Sequence, residues 1–277
     1  MTDPLRITLL VDNRGTDVAT EHGLSMWIEA FDQRILFDTG QGSALMPNVR
    51  QLGIDLSGAS AVVLSHGHYD HTGGLSAALG MAREATIHAH PDVLLPRYSI
   101  RPGAIRQIGI PAGARAAFDS LPPTRLRWVE QPTHLAPGIG ITGPIPRTTS
   151  YEDTGGPFFL DAAGQLPDPI TDDLSLWLET PQGLVVCTGC CHAGLVNTLN
   201  HICAVSGDSR IRAIIGGLHL LNADETRLAT TIEALRTFNP GLIVPCHCTG
   251  DAAMERLARD LGERVRFGTA GQVWEFD

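Results

Sequence analysis

The stretch S-H-G-H-Y-D-H-T-G-G, Ser65 to Gly74, puts three histidines and one aspartate into the six residues from His66 to His71. Imidazole and carboxylate in one short run suit zinc and related divalent ions. His66 and His68 are two apart, with Gly67 between them. In an extended segment, positions i and i+2 project to the same side, so both rings can bind one ion. Asp70 and His71 are adjacent and diverge, which suits a second ion beside the first. A lone histidine is most often a satisfied core or surface residue. Four ligand-type residues in six are not explained that way.

The elements that must position this run are legible around it. Ala61-Val62-Val63-Leu64 is short, rich in β-branched residues and bounded by turn residues. It reads as a buried strand that delivers the histidines to the edge of a core. Leu5 to Val11, Leu24 to Phe31, Arg34 to Phe37 and Thr86 to His90 read as further strands. Ala44 to Leu52 and Leu75 to Glu84 read as helices. His88 and His90 also have ligand spacing, but Pro91 follows at once, and they read as structural.

Three more apolar runs end in ligand-type residues. The hairpin over Leu174 to Cys187 leads into Thr188-Gly189-Cys190-Cys191-His192, Ile211 to Ile215 leads into Gly216-Gly217-Leu218-His219, and Leu242 to Val244 leads into Pro245-Cys246-His247-Cys248. Each is followed by a helical pattern. The repeated coincidence of strand end and ligand residue points to one metal-binding edge. A rival grouping joins Cys187, Cys190, Cys246 and Cys248 in a four-thiolate structural zinc site. Its second pair has only one intervening residue, which is poor spacing for a zinc ribbon.

Residues 97–123 break the pattern. Arg97, Arg101, Arg106 and Arg115 occur there among several prolines and glycines. This reads as a loop-rich insertion or lid. Arg101 and Arg106 are candidates for gripping an anionic group, since guanidinium pairs well with carboxylate and phosphate. A dimer contact is the plainer alternative.

Composition bounds the function. The chain has 277 residues, is 43% hydrophobic and carries a net charge of −10. That is enough for a sizeable core in one domain spanning 1–277. An acidic chain is a poor general binder of nucleic acid. No apolar run reaches the length of a membrane span, and no signal-peptide pattern opens the chain. Five of six cysteines fall in two tight clusters, a metal or thiol pattern more than a disulfide framework, which points to a reducing, cytoplasmic setting.

H-G-H-Y-D-H resembles the HxHxDH motif of the metallo-β-lactamase superfamily. The order V-D-N, E-H-G-L-S, L-F-D-T-G, S-H-G-H-Y-D-H-T-G-G-L, T-G-C-C-H-A-G, G-G-L-H-L and P-C-H-C-T-G, spread over residues 11–250, is similar to a branch that includes archaeal dihydropterin transferases and many metal-dependent hydrolases. The resemblance implies an α/β fold, a four-layer αββα sandwich of two mixed β-sheets. It implies metal ligands among His66, His68, Asp70, His71, Cys190, His192, His219 and His247. Asp38 of F-D-T-G would support the metal loop by hydrogen bonds, and His22 of E-H-G-L-S would meet substrate. Most members carry T-G-D where this chain has T-G-C, so Cys190 replaces a bridging aspartate and either it or His192 is the ligand there.

The expected activity is hydrolysis of an ester, amide, lactone or phosphoester of a small molecule, with one or two ions, zinc first, lowering the pKa of bound water to about 7. Asp70 and His247 are the catalytic candidates. The alternatives are a transferase joining a dihydropterin pyrophosphate to an aryl ribose phosphate, and a non-catalytic metal-binding protein. The expected partners are a small-molecule substrate and a second copy in a homodimer, with neither nucleic acid nor membrane.

Overall fold

The computed structural model describes residues 4–277. The chain divides into two compact units, Met1–Glu130 with Pro157–Asp172 and Thr269–Asp277, and Gln131–Gly156 with Asp173–Gly268.

The first unit is built on a seven-stranded sheet ordered Val273–Phe276, Leu5–Val11, Ser25–Ala30, Gln33–Phe37, Ala61–Val63, Thr86–Ala89, Leu126–Trp128. Neighbours are antiparallel up to Gln33–Phe37 and parallel beyond it. Four parallel strands therefore end at one edge, where Asp38 and the run from Ser65 to His71 follow directly. In open α/β sheets, that edge is where ligands bind. One face of the sheet buries Leu10, Trp27, Leu36, Val62 and Ile87 against Leu45 and Val49, Leu75 and Leu79, and Phe118 of three helices. Ile7, Met26, Ile28, Ile35, Phe37 and Val63 are also fully buried. Burial on both faces is why these strands read as continuous apolar runs rather than alternating ones. Each such side chain contributes about 1.5–3 kcal/mol.

The second unit carries a six-stranded sheet ordered Leu242–Cys246, Ile211–Gly217, Gly183–Thr188, Ser175–Thr180, Ile139–Ile141, Thr133–Ala136. Its first three strands are parallel, and its register pairs Thr188 with Gly216 and Gly217 with Cys246. Those three strand ends are thus level, and Cys190, His219 and His247 follow them. Helices Leu195–Ser206, Glu225–Phe238 and Asp251–Leu261 bury Leu199, Ile202, Ile232, Leu235 and Leu257 against Trp177, Val186, Ile214 and Ile243. Both sheets are mixed and helix-covered, which bears out the α/β class.

The region 97–123 is not loop-rich. It forms the hairpin Tyr98–Arg101 and Ala104–Gln107, joined by Phe158–Phe159 into a three-stranded sheet, and then the helix Ala112–Asp119. Two of the residues that suggest a loop, Gly103 and Pro111, sit at joints. Gly103 takes the positive φ of the hairpin turn and Pro111 precedes the first helical residue. Residues 144–170 are otherwise irregular. Among the described residues, no helix is long and apolar enough to cross a membrane.

Candidate metal centre

In the first unit the expected ligands come together behind Asp38. The Asp38 carboxylate accepts from the Ser65 amide at 2.7 Å, the Ser65 hydroxyl at 2.6 Å and the His71 Nδ1–H at 2.7 Å, all fully buried. Because Ser65 Oγ spends its proton on Asp38, it accepts from His66 Nδ1 at 2.9 Å. Both histidines therefore carry their proton on Nδ1 and leave Nε2 as a lone pair. The His66 ring centroid lies 4.5 Å from that of His68 and 4.3 Å from that of His71. His66 Nε2 and His68 Nδ1 are 2.9 Å apart. Tetrahedral zinc at about 2.0–2.1 Å per bond holds two nitrogens about 3.3 Å apart. This pair is already near ligand spacing, so the residues fit the ion.

Asp70 and His71 diverge as the sequence suggests. Asp70 turns to His22, whose Nε2 lies 3.1 Å from its Oδ2 and whose side chain is half exposed. Arg106 lies over the Tyr69 ring at 5.5 Å, with Nη2 3.4 Å from the phenol oxygen. Burial and the neighbouring Asp70 carboxylate raise the Tyr69 pKa. Arg101 sits at the exposed end of the hairpin. Arg97 is fully buried and ion-pairs with Asp168 and Asp172. Arg115 pairs with Asp119 in its own helix.

In the second unit, ligand atoms of Cys190, His192 and His219 lie within 4.8 Å of one another, as do those of Cys190, His247 and Cys248. His192 donates Nδ1–H to the Thr154 carbonyl at 2.7 Å, which again leaves Nε2 for an ion. The His192 and His219 ring centroids are 4.3 Å apart. Burial opposes ionisation of Cys248, but a hydrogen bond at Cys190 and the fields of His219 and His247 leave its pKa well below the ordinary thiol value. The four-thiolate grouping does not form. Cys187 lies inside its strand, opposite Leu176 and Ile215, with its pKa pushed up by burial.

Several contributors escape sequence reading. Ser65 lies inside the motif yet links Asp38 to His66 by hydrogen bonds. The loop Glu152 to Gly156 packs on the imidazole pair of the second unit. Gly155 has φ +85°, and a Cβ there would fall 1.8 Å from the His219 ring. Glu152 accepts from the amides of Val196 and Asn197, capping the helix that follows His192. A further signal is conformational. Asp38, Cys191, His219 and His247 all have positive φ although none is glycine. Such residues cost about 1–3 kcal/mol each and cluster at functional sites.

The comparisons with known proteins agree with this geometry. The Metallo-beta-lactamase superfamily profile matches residues 19–247. The chain is 30% identical over 269 residues to 7,8-dihydropterin-6-methyl-4-(beta-D-ribofuranosyl)-aminobenzene-5'-phosphate synthase of Methanocaldococcus jannaschii, covering 93% of this chain and 90% of that one. It is similar to the crystal structure of a metal-dependent hydrolase of the beta-lactamase superfamily, with TM-score 0.83, 29% identity and 99% of both chains covered. The metallo-beta-lactamase fold protein YhfI from Bacillus subtilis shares the fold at TM-score 0.58 and 17% identity, with 99% of both chains covered. The chain thus belongs to the metallo-β-lactamase superfamily.

Proposed function

We propose that this protein is a metal-dependent hydrolase, zinc being the best-suited ion, acting on an ester, amide, lactone or phosphoester of a small molecule. In the first unit the candidate ligands are His66, His68, Asp70 and His71, and in the second they are Cys190, His192, His219 and His247. The observation that carries this reading is the set of imidazoles held with Nδ1 protonated and Nε2 free of its proton, by Ser65, Asp38 and the Thr154 carbonyl. When bound, a divalent ion supplies Lewis acidity and an acidified water. The chain's own groups do the rest. Asp38 and Thr154 fix the ring orientations. The half-exposed His22 can carry a proton between solvent and the Asp70 carboxylate, and His247 is the candidate donor to a leaving group. Arg106, over Tyr69, favours an anionic substrate. The net charge of −10 favours a small molecule over a nucleic acid. Five of six cysteines in two tight clusters suit a reducing, cytoplasmic setting.

Elemental analysis of the purified protein should find one or two zinc ions per chain. His68→Ala and Asp70→Ala should each abolish both metal content and turnover across an ester, lactone and phosphoester panel. Activity retained by either variant would overturn the assignment.

The relative from Methanocaldococcus jannaschii favours a second reading. Here the chain condenses a dihydropterin pyrophosphate with an aryl ribose phosphate, and Arg106 faces phosphate. Pyrophosphate release from such a donor, without simple ester hydrolysis, would select it. Metal binding without any turnover would select a non-catalytic role.

A further inference from the structure

We propose that Cys248 is a metal ligand and that Cys190 is shared between two ions, so that the centre carries two thiolates. This deepens the metal-dependent reading above and rests on it.

Cys190 belongs to two donor trios. Its sulfur groups with His192 and His219 on one side, and with His247 and Cys248 on the other, every donor atom within 4.8 Å of the others in its trio. A tetrahedral ion with metal–sulfur bonds of about 2.3 Å holds two sulfurs about 3.8 Å apart. The observed spacing reaches that with shifts of about one ångström. A single sulfur common to both trios is where a bridging ligand sits, at the position that resembles the T-G-D aspartate.

The backbone is shaped to bring the second sulfur in. Consecutive residues of an extended chain point to opposite sides. His247 breaks that alternation with φ 51°, so that its ring and the Cys248 sulfur turn to the same trio. Gly217 leaves space for that sulfur. A Cβ on it would fall 2.6 Å from Cys248 Sγ and 2.5 Å from the Gly189 carbonyl oxygen. The Cys248 thiol contacts the Cys190 carbonyl at 3.4 Å, which holds it beside the shared residue. Two other buried thiols are placed differently. Cys191 turns to the Thr198 hydroxyl at 3.4 Å, and Cys187 lies within the sheet.

Binding would release the proton of each thiol and leave a thiolate on the ion. Thiolate ligands select zinc, cobalt or cadmium over magnesium, calcium or manganese. The sulfur content therefore decides which divalent ion this centre accepts.

Cobalt(II) titrated into the metal-stripped, full-length protein reports the ligands directly. The wild type should develop a thiolate-to-cobalt charge-transfer band in the near ultraviolet. With two bonds to Cys190 and one to Cys248, Cys248→Ala should lose about one-third of its intensity and Cys190→Ala about two-thirds. Cys203→Ser, in the helix Leu195–Ser206 and in neither trio, should leave the band intact. Cobalt bound without the band, or an undiminished band in Cys248→Ala, overturns the inference and leaves the hydrolase reading standing. If Cys248→Ala fails to fold, Cys248→Ser serves in its place, since a hydroxyl gives no thiolate charge-transfer band. No cobalt bound at all overturns both.

Discussion

The Asp38 carboxylate receives three hydrogen bonds, and through them it sets the tautomer of His71 directly and of His66 through Ser65. Asp38→Asn keeps the shape but places an N–H₂ where one of these donors now points. The proton pattern of the two rings is then no longer enforced. Zinc affinity should fall about 10–100-fold, read by competition with a chromophoric chelator. Unchanged affinity would show that the rings hold their tautomers unaided. F-D-T-G marks this aspartate in the sequence by resemblance. The sequence does not say which donors it meets, because Ser65 and His71 are 27 and 33 residues away. Thr154 offers less still. Its part is played by a backbone carbonyl, which any residue type supplies.

The loop that carries the histidines is fastened by a neighbouring element. Asp172 Oδ2 accepts from the Gly67 amide at 2.8 Å and from Arg97 Nη1 at 2.9 Å, and Arg97 Nε bonds Asp168 at 2.8 Å. All three side chains are buried. Removing one partner of such a group strands the opposite charges. Arg97→Ala should cost about 3–5 kcal/mol in urea unfolding, beyond the loss of any exposed arginine. A change below about 1 kcal/mol would mean that the carboxylates regain water. In the strand Thr86–Ala89, His88 is largely buried, and burial followed by the charge of Arg127 lowers its pKa from 6.5 to about 4. The unfolded chain binds this proton below about 6.5, while the folded chain refuses it down to about 4. Stability is therefore full above that window and falls as pH drops through it, by at most about 3 kcal/mol. Denaturant melts between pH 4 and 6.5 should show the slope, and His88→Gln should flatten it. A variant with the wild-type slope would assign the effect elsewhere.

At the scale of the molecule, each unit places its candidate ligand residues at the ends of parallel strands, so an ion bound there would stabilise the native chain and not the unfolded one. Free zinc at about 1,000 times its dissociation constant should add about 4 kcal/mol. Stripping the metal with a chelator should lower the melting temperature by about 10 °C, and added zinc should restore it. Scanning calorimetry of the two forms measures this. Identical melting temperatures would mean that the ligands do not act together on an ion.

Local pattern was enough for much of this protein. Apolar runs such as Ala61 to Leu64 and Leu242 to Val244 are strands because they are buried on both faces, and the residues after them face an edge because a parallel strand must end there. Contiguity made His66 to His71 visible as one group. Tertiary structure decided the rest. It made Arg97 a core ion pair rather than a ligand for substrate, because Asp168 and Asp172 approach it from 71 and 75 residues away. It turned the arginine-rich stretch into a hairpin and a helix, with Gly103 and Pro111 at the joints. It chose which nitrogen of each imidazole is bare, and it set two sulfurs around one histidine. Those outcomes depend on which distant backbone groups meet, and no local spacing of residue types encodes such meetings.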